Sequence, residues 1–283
     1  MIVDFHTHIF PARLAPLVIE DLSRASGTLP YTDGTEKGLL SSMEHAGIQY
    51  SVTLPVATNP DKVVSLNRAA VPENTDGRLI RFGAMHPDCP DRKAELRRLA
   101  MQGCKGIKIH PVYQGVCLDD IRYLRILDEA GALGLTVVTH TGDDIGFPGV
   151  IKCSPAMARH ALCEVGPVKL VLAHMGGWHC WEEACDLLAD TSACLDTSFS
   201  AGTVRLRREN AKTDLDLMNA AQMLDMIRLF GAERILFGTD SPWTDQKQSV
   251  EYLHTLGLTA EEEERILWKN AARLLSLSEF NEE

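Results

Sequence analysis

Lys169-Leu-Val-Leu-Ala-His-Met-Gly-Gly177 decides the fold. An apolar run without polar alternation breaks off into a histidine and two glycines. Continuous apolar runs belong to parallel strands covered on both faces. The same pattern recurs elsewhere. Arg234-Ile-Leu-Phe237 runs into Gly-Thr-Asp240, and Gly106-Ile-Lys-Ile109 runs into His110-Pro111. Working outward, strands are expected near 2–8, 50–56, 79–86, 105–110, 135–140, 168–174, 192–198 and 233–239. Helical patterns follow at about 35–46, 60–71, 91–102, 119–132, 154–165, 178–189, 214–231 and 260–276. Asn59-Pro60, Ser154-Pro155 and Thr259 with its acidic followers are helix starts. Gly47, Gly103, Gly131, Gly166 and Gly231 stand where C-terminal caps belong. Eight strand–helix units predict one α/β domain over 1–283, a closed (β/α)8 TIM barrel. A doubly wound open sheet fits less well, because the first unit lacks a glycine-rich phosphate turn. Residues 10–34 form a long insertion after the first strand, expected to be a lid or a dimer contact.

Composition narrows the function. The formal net charge of −11 argues against a nucleic-acid partner, which needs a basic face. The basic cluster Arg205-Leu-Arg-Arg208 reads as a solvated loop in preference to a substrate-side one. Eight cysteines at irregular spacing, with no CxxC pair, predict reduced thiols and a cytoplasmic protein. Cys104 and Cys194 are expected to pack in or beside strands. No signal peptide and no apolar run long enough for a membrane span is apparent.

The expected strand ends carry the chemistry, and active sites of such barrels lie there. The first ends in Asp4-Phe-His6-Thr-His8, the third in His86-Pro-Asp88, the fourth in Lys108-Ile-His110-Pro111. The fifth ends in Thr139-His140-Thr-Gly142, the sixth in His174, and the eighth in Asp240-Ser-Pro-Trp243. Six of ten histidines thus gather at one barrel mouth. His45, His160, His179 and His254 fall on helices or loops and read as surface or packing residues. Residues i and i+2 of a strand share a face, so Asp4, His6 and His8 are expected to point the same way. An HxH pair alone suits a cation, or one packed and one solvated ring. A ring of histidine and aspartate at one mouth has a straightforward use in holding a transition metal. His86, before a proline, reads as a strand cap. His110 suits substrate contact or a structural hydrogen bond equally. Lys108 would point inward one layer deeper, with Asp4 as a partner in reach.

His6-Thr-His8, Gly106-Ile-Lys-Ile-His-Pro111, His140, Ala173-His-Met-Gly-Gly177 and Phe237-Gly-Thr-Asp-Ser-Pro-Trp243 together resemble the amidohydrolase superfamily. The resemblance is to the amidohydrolase-related branch that includes aminocarboxymuconate semialdehyde decarboxylase and γ-resorcylate decarboxylase. Lys269-Asn-Ala-Ala-Arg-Leu-Leu275 resembles its closing helix, and the likeness runs from residue 4 to about 275. It implies a metal-dependent enzyme, often dimeric, so a homodimer is a possibility it raises. It makes His6, His8, His140 and Asp240 ligands of one divalent ion, expected to be Zn²⁺. It makes His174 the acid/base beside that ion, with Asp240 taking the proton of a water. A second ion would need Lys108 as a bridging carbamate, and Lys108 looks too deep, so one ion is expected. Asp4 is expected to orient a strand-1 imidazole. Trp243, Phe147 and Phe199 would wall the pocket, and His110 and Arg13 would contact substrate.

The expected reaction is hydrolysis of a small carbonyl compound, such as a lactone or cyclic amide, by an activated water. The alternative is decarboxylation of an aromatic or enoic acid. That reading needs a cation for the carboxylate, and Arg13, Arg205 and Arg207 are the candidates. A metal-dependent nuclease conflicts with the negative charge and the lack of a glutamate ending strand 4. A non-catalytic metal barrel leaves the acid/base histidine without a use.

Overall fold

The computed structural model describes residues 1–70, 77–207, 215 and 217–276. Its strands are β1 (Val3–Thr7), β2 (Tyr50–Thr53), β3 (Leu79–Arg81), β4 (Gly83–Ala84), β5 (Gly106–Ile109), β6 (Thr136–Thr139), β7 (Lys169–Leu172), β8 (Cys194–Asp196) and β9 (Ile235–Leu236). All neighbours pair in parallel, in the orders β1-β2-β3 and β4 through β9. Two seams join these sheets into a closed (β/α)8 barrel. Phe82, between β3 and β4, donates its backbone N–H to Thr53 at 3.1 Å. The strand expected over 79–86 is therefore one barrel position interrupted at Phe82, whose ring fills the barrel interior with Phe5, Val138 and Leu236. At the other seam, Phe5 N–H bonds Phe237 at 2.7 Å and Asp240 N–H bonds His6 at 2.8 Å.

The helices are α1 (Ala15–Ser26), α2 (Glu36–Ala46), α3 (Val63–Ala70), α4 (Arg92–Met101), α5 (Pro111–Gln114), α6 (Ile121–Ala132), α7 (Pro155–Glu164), α8 (Trp181–Leu188), α9 (Ala220–Phe230), α10 (Gln246–His254), α11 (Ala260–Glu264) and α12 (Asn270–Leu275). The expected N-caps are present. Ser154 accepts from Met157 N–H, and Thr259 forms a capping box with Glu262. The expected C-caps hold at Gly47, left-handed at φ 68°, but not at Gly131. Gly131 lies inside α6, where an added Cβ would sit 2.4 Å from the Pro167 carbonyl oxygen. Gly131 admits a close chain, and Gly134 (φ 70°) takes the left-handed turn. The start of the helix expected at 214–231 lies outside the described residues. Within them α9 begins at Ala220 behind the capping box of Asn219 and Gln222.

Three helices were not expected: the short α5, α10, and α1 inside the 10–34 insertion. In α1, Ala15, Ile19 and Ser23 are buried at helical spacing, and Pro16 occupies the first turn, where its missing N–H costs nothing. Val18 and Leu22 of the same helix line the main cavity, so the insertion roofs the barrel mouth. Among the described residues no helix is long and apolar enough to cross a membrane.

Candidate metal centre

The register of β1 places the first two histidines. Asp4 pairs with Ser51, but Thr7 pairs with Thr53, so β1 carries one extra residue across that interval. The expected common face of Asp4, His6 and His8 is broken there. Asp4 turns away from the mouth. Its Oδ1 accepts the backbone N–H of His6 (3.2 Å) and of Thr239 (3.0 Å), and its Oδ2 accepts Thr239 Oγ1 (2.6 Å) and Gln246 Nε2 (2.7 Å). Asp4 thus ties β1 to the last strand end and does not orient a histidine ring. Burial raises its pKa to about 6.

Asp196, at the end of β8, orients the ring instead: its Oδ2 accepts His6 Nδ1–H at 2.9 Å. Leu54 O accepts His8 Nδ1–H at 2.7 Å. A carboxylate and a carbonyl only accept, so both rings carry their proton on Nδ1 and present a lone pair on Nε2. Those two Nε2 atoms lie 3.2 Å apart. Asp240 Oδ1 completes the group, 3.1 Å from His8 Nε2 and 3.4 Å from His6 Nε2. Three acceptors thus converge, and the donor beside them is the Lys108 ammonium, 3.3 Å from His6 Nε2. Lys108 does not reach Asp4, the partner expected for it; the turn of Asp4 toward Thr239 and Gln246 removes that pairing.

The charges match a cation site. Burial alone would raise Asp240, but the His8, His6 and His174 imidazoles around it hold it well below the usual carboxylate range. Burial is likewise overcome at Asp196, held at about 2 by His6. Burial, with Lys108 nearby, lowers His6 to about 4, and burial lowers Lys108 to about 8. Charged carboxylates beside neutral imidazoles are what a divalent ion requires of its ligands. Asp240 and His174 are also strained: both sit at positive φ, 64° and 60°, unusual for residues with a side chain.

His140 and His174 form a second facing pair. His174 donates Nδ1–H to Ser198 O at 2.9 Å, and His140 donates Nε2–H to Asp143 O at 3.0 Å. The remaining lone pairs, His174 Nε2 and His140 Nδ1, face one another at 3.0 Å. Burial lowers both pKa values. His140 therefore offers a free nitrogen, but toward His174, outside the tight group of His6, His8 and Asp240. His140 also clusters with His110 and Asp144. That group is looser, with no hydrogen bond from either ring to Asp144. The rings of His110 and His140 stack at 4.3 Å, and their Nε2 atoms point at Asp144 Oδ2 from 3.6 and 3.7 Å. His110 Nδ1 accepts Tyr113 N–H at 3.5 Å, so its own proton is on Nε2, toward Asp144.

The other expected residues divide. His110, Trp243 and Phe199 line a cavity of about 1240 Å³ that opens onto His6, His8, His140, His174 and Asp240. Arg13 is exposed and is not part of that wall, and neither is Phe147, which packs on Tyr113. His86 caps its strand end, accepting Asp88 N–H at 3.1 Å. Cys104 and Cys194 are buried. Asp196 and Ser198 were missed. Asp196 ends a three-residue apolar strand, and its position at a strand end was the one available signal.

Comparisons with known proteins bear on the family and the fold. The amidohydrolase family pattern matches residues 3–277. No curated protein sequence matches the chain. Solved structures share the fold at low identity. An uncharacterized TIM-barrel protein of Bordetella bronchiseptica superposes with a TM-score of 0.74 at 19% identity, over 97% of this chain and 98% of that one. A dihydroxybenzoic acid decarboxylase of Polaromonas sp. JS666, with bound manganese and 2-nitroresorcinol, gives 0.67 at 16%, over 98% and 97%. A Pseudomonas putida protein assigned as a 2-pyrone-4,6-dicarboxylic acid hydrolase gives 0.64 at 18%, over 97% of both chains. With the family pattern spanning nearly its whole length, the chain belongs to the amidohydrolase family and is an enzyme.

Proposed function

We propose that the protein is a metal-dependent hydrolase of a carbonyl compound, of the lactone or cyclic amide type. The observation that carries this reading is the convergence of His6 Nε2, His8 Nε2 and Asp240 Oδ1 within 3.4 Å of one another, each presenting lone pairs. His6, His8 and Asp240 would hold one divalent ion, proposed as Zn²⁺, with His140 Nδ1 as a further ligand. When bound, the ion supplies a Lewis acid that acidifies water and polarises a carbonyl.

The chain's own groups do the rest. Asp240 and His174 both line the cavity and would serve the water that meets the carbonyl carbon. As the water oxygen bonds to that carbon, its proton passes to one of them and then to the leaving oxygen or nitrogen as the ring bond breaks. His174 can take a proton on Nε2 because Ser198 O fixes the other nitrogen's hydrogen. Asp196 and Leu54 O keep both strand-1 imidazoles in one tautomer.

The three arginines expected to hold a substrate carboxylate stand off the cavity, which supports hydrolysis, although Lys37, Arg81 and Lys108 do line it. Arg13 stands off the cavity wall, Arg205 covers the Tyr31 ring at 5.0 Å, and Arg207 pairs with Glu20 at 3.3 Å. The test is product analysis of metal-loaded protein against lactones, cyclic amides and aromatic acids. A product that gains the elements of water supports the proposal. CO₂ release from an acid, at rates far above those on lactones, replaces it with decarboxylation.

A further inference from the structure

The cavity is larger than a single-ring substrate needs. Ligand pockets commonly span about 300–1,000 Å³, and this one reaches about 1240 Å³. Three helices contribute to its wall besides the strand ends that carry the proposed ligands. Val18 and Leu22 of α1 are one helical turn apart. Leu40 of α2, Leu66 of α3, and Ile9 and Phe10 at the head of the insertion complete an apolar lining. All six side chains are only half-buried, so apolar surface there still faces the cavity. On that side Arg81 pairs with Glu36 at 2.7 Å, while Asp33 and Lys37, both exposed, also line the cavity. The apolar part of this wall gains free energy from a hydrocarbon surface, at about 0.8 kcal/mol per buried methylene.

We infer that the substrate is amphipathic: its reacting carbonyl lies at His6, His8 and Asp240, and a hydrocarbon body of acyl-chain size fills the space under α1. The inference rests on the proposed metal-centred reading, which fixes the end where the carbonyl lies. It sets this chain's substrate apart from a monocyclic acid, which would leave the α1 side unfilled.

The test is a binding series read by calorimetry, with acetohydroxamate, butano-, hexano- and octanohydroxamate as probes. Each is titrated into zinc-loaded protein and into chelator-treated protein. The hydroxamate head reports the metal and the tail reports the cavity. The expected result is metal-dependent binding that tightens by about three- to fourfold per methylene, so that octanohydroxamate exceeds acetohydroxamate by on the order of a thousandfold. Val18→Gln with Leu22→Gln should flatten the chain-length dependence far more than it weakens acetohydroxamate, at unchanged metal content. Metal-dependent binding with no dependence on chain length overturns the amphipathic substrate and leaves the metal reading standing. Chain-dependent binding indifferent to the chelator keeps the hydrocarbon site and removes the metal-centred reading. No binding by any member overturns both.

Discussion

Asp196 Oδ2 takes the Nδ1 proton of His6 at 2.9 Å, while its Oδ1 accepts the Ser198 hydroxyl and the backbone N–H of His174 at 3.2 Å. One buried carboxylate thus links an expected ligand to the expected acid/base. An oriented imidazole with a basic Nε2 is a better ligand than a free one. Removing such an outer partner typically costs about 10- to 100-fold in metal affinity. Asp196→Asn should weaken binding of a divalent ion by that factor in a competitive chelator titration. Unchanged affinity would mean that the fold alone fixes the His6 ring.

Lys108 occupies the place beside His6 where a cation's charge falls. Its ammonium lies 3.3 Å from His6 Nε2, and burial lowers it to about 8, so it is mostly protonated at pH 7. A divalent ion at His6 lowers it further and expels its proton. Metal binding at pH 7 should therefore release close to one more proton in the native protein than in Lys108→Met. Calorimetry in buffers of different ionisation enthalpy reads the difference. Equal proton release in both proteins would show that Lys108 turns away when the ion binds.

The buried imidazoles set the acid stability of the metal-free protein. In an unfolded chain a histidine takes a proton near pH 6.5, whereas burial delays His6 to about 4. Between those values the unfolded state holds more protons, so acidification favours unfolding. His110, His140 and His174 are shifted the same way by burial. Asp4 and Asp144 oppose them. Burial raises both to about 6, so the fold takes their protons before the unfolded chain does and gains stability as pH falls from 6 toward 3.8. Four imidazoles outweigh two carboxyls, and His6 alone contributes about 2 kcal/mol between pH 7 and 5. The urea midpoint of chelator-treated protein should fall over that range. A midpoint that holds or rises would show these imidazoles already protonated in the fold.

Much of the site could be read from the chain because parallel barrel strands announce themselves as unbroken apolar runs. Lys169–Leu172 and Gly106–Ile109 appear where expected, and His110, His140 and His174 follow their strands into one mouth. What escaped depends on three dimensions. The extra residue in β1 changes the face of Asp4, and strand parity cannot register it. Asp196 stands in a run no longer than Cys194-Leu-Asp196, so nothing local sets it apart from a solvated strand end. Helix α1 was hidden by Pro16, which marks a helix's first turn as readily as a loop.

His174 is where the number of ions is decided. Its Nε2 faces His140 Nδ1 at 3.0 Å, and no hydrogen stands between the two lone pairs. Such a pair closes over a proton or a second ion. If it holds a proton, His174 is the acid/base. His174→Ala should then keep one ion per chain and lose roughly 10²- to 10⁴-fold in turnover. If His140 Nδ1 is instead free to act as the proposed further ligand, His140→Ala should weaken the ion itself. If the pair holds an ion, His174→Ala removes about half the bound metal from a binuclear site. Elemental analysis beside turnover therefore separates the cases. Metal stoichiometry unchanged in His174→Ala, together with undiminished turnover, would deny the residue both roles and move the proton transfer to Asp240 alone.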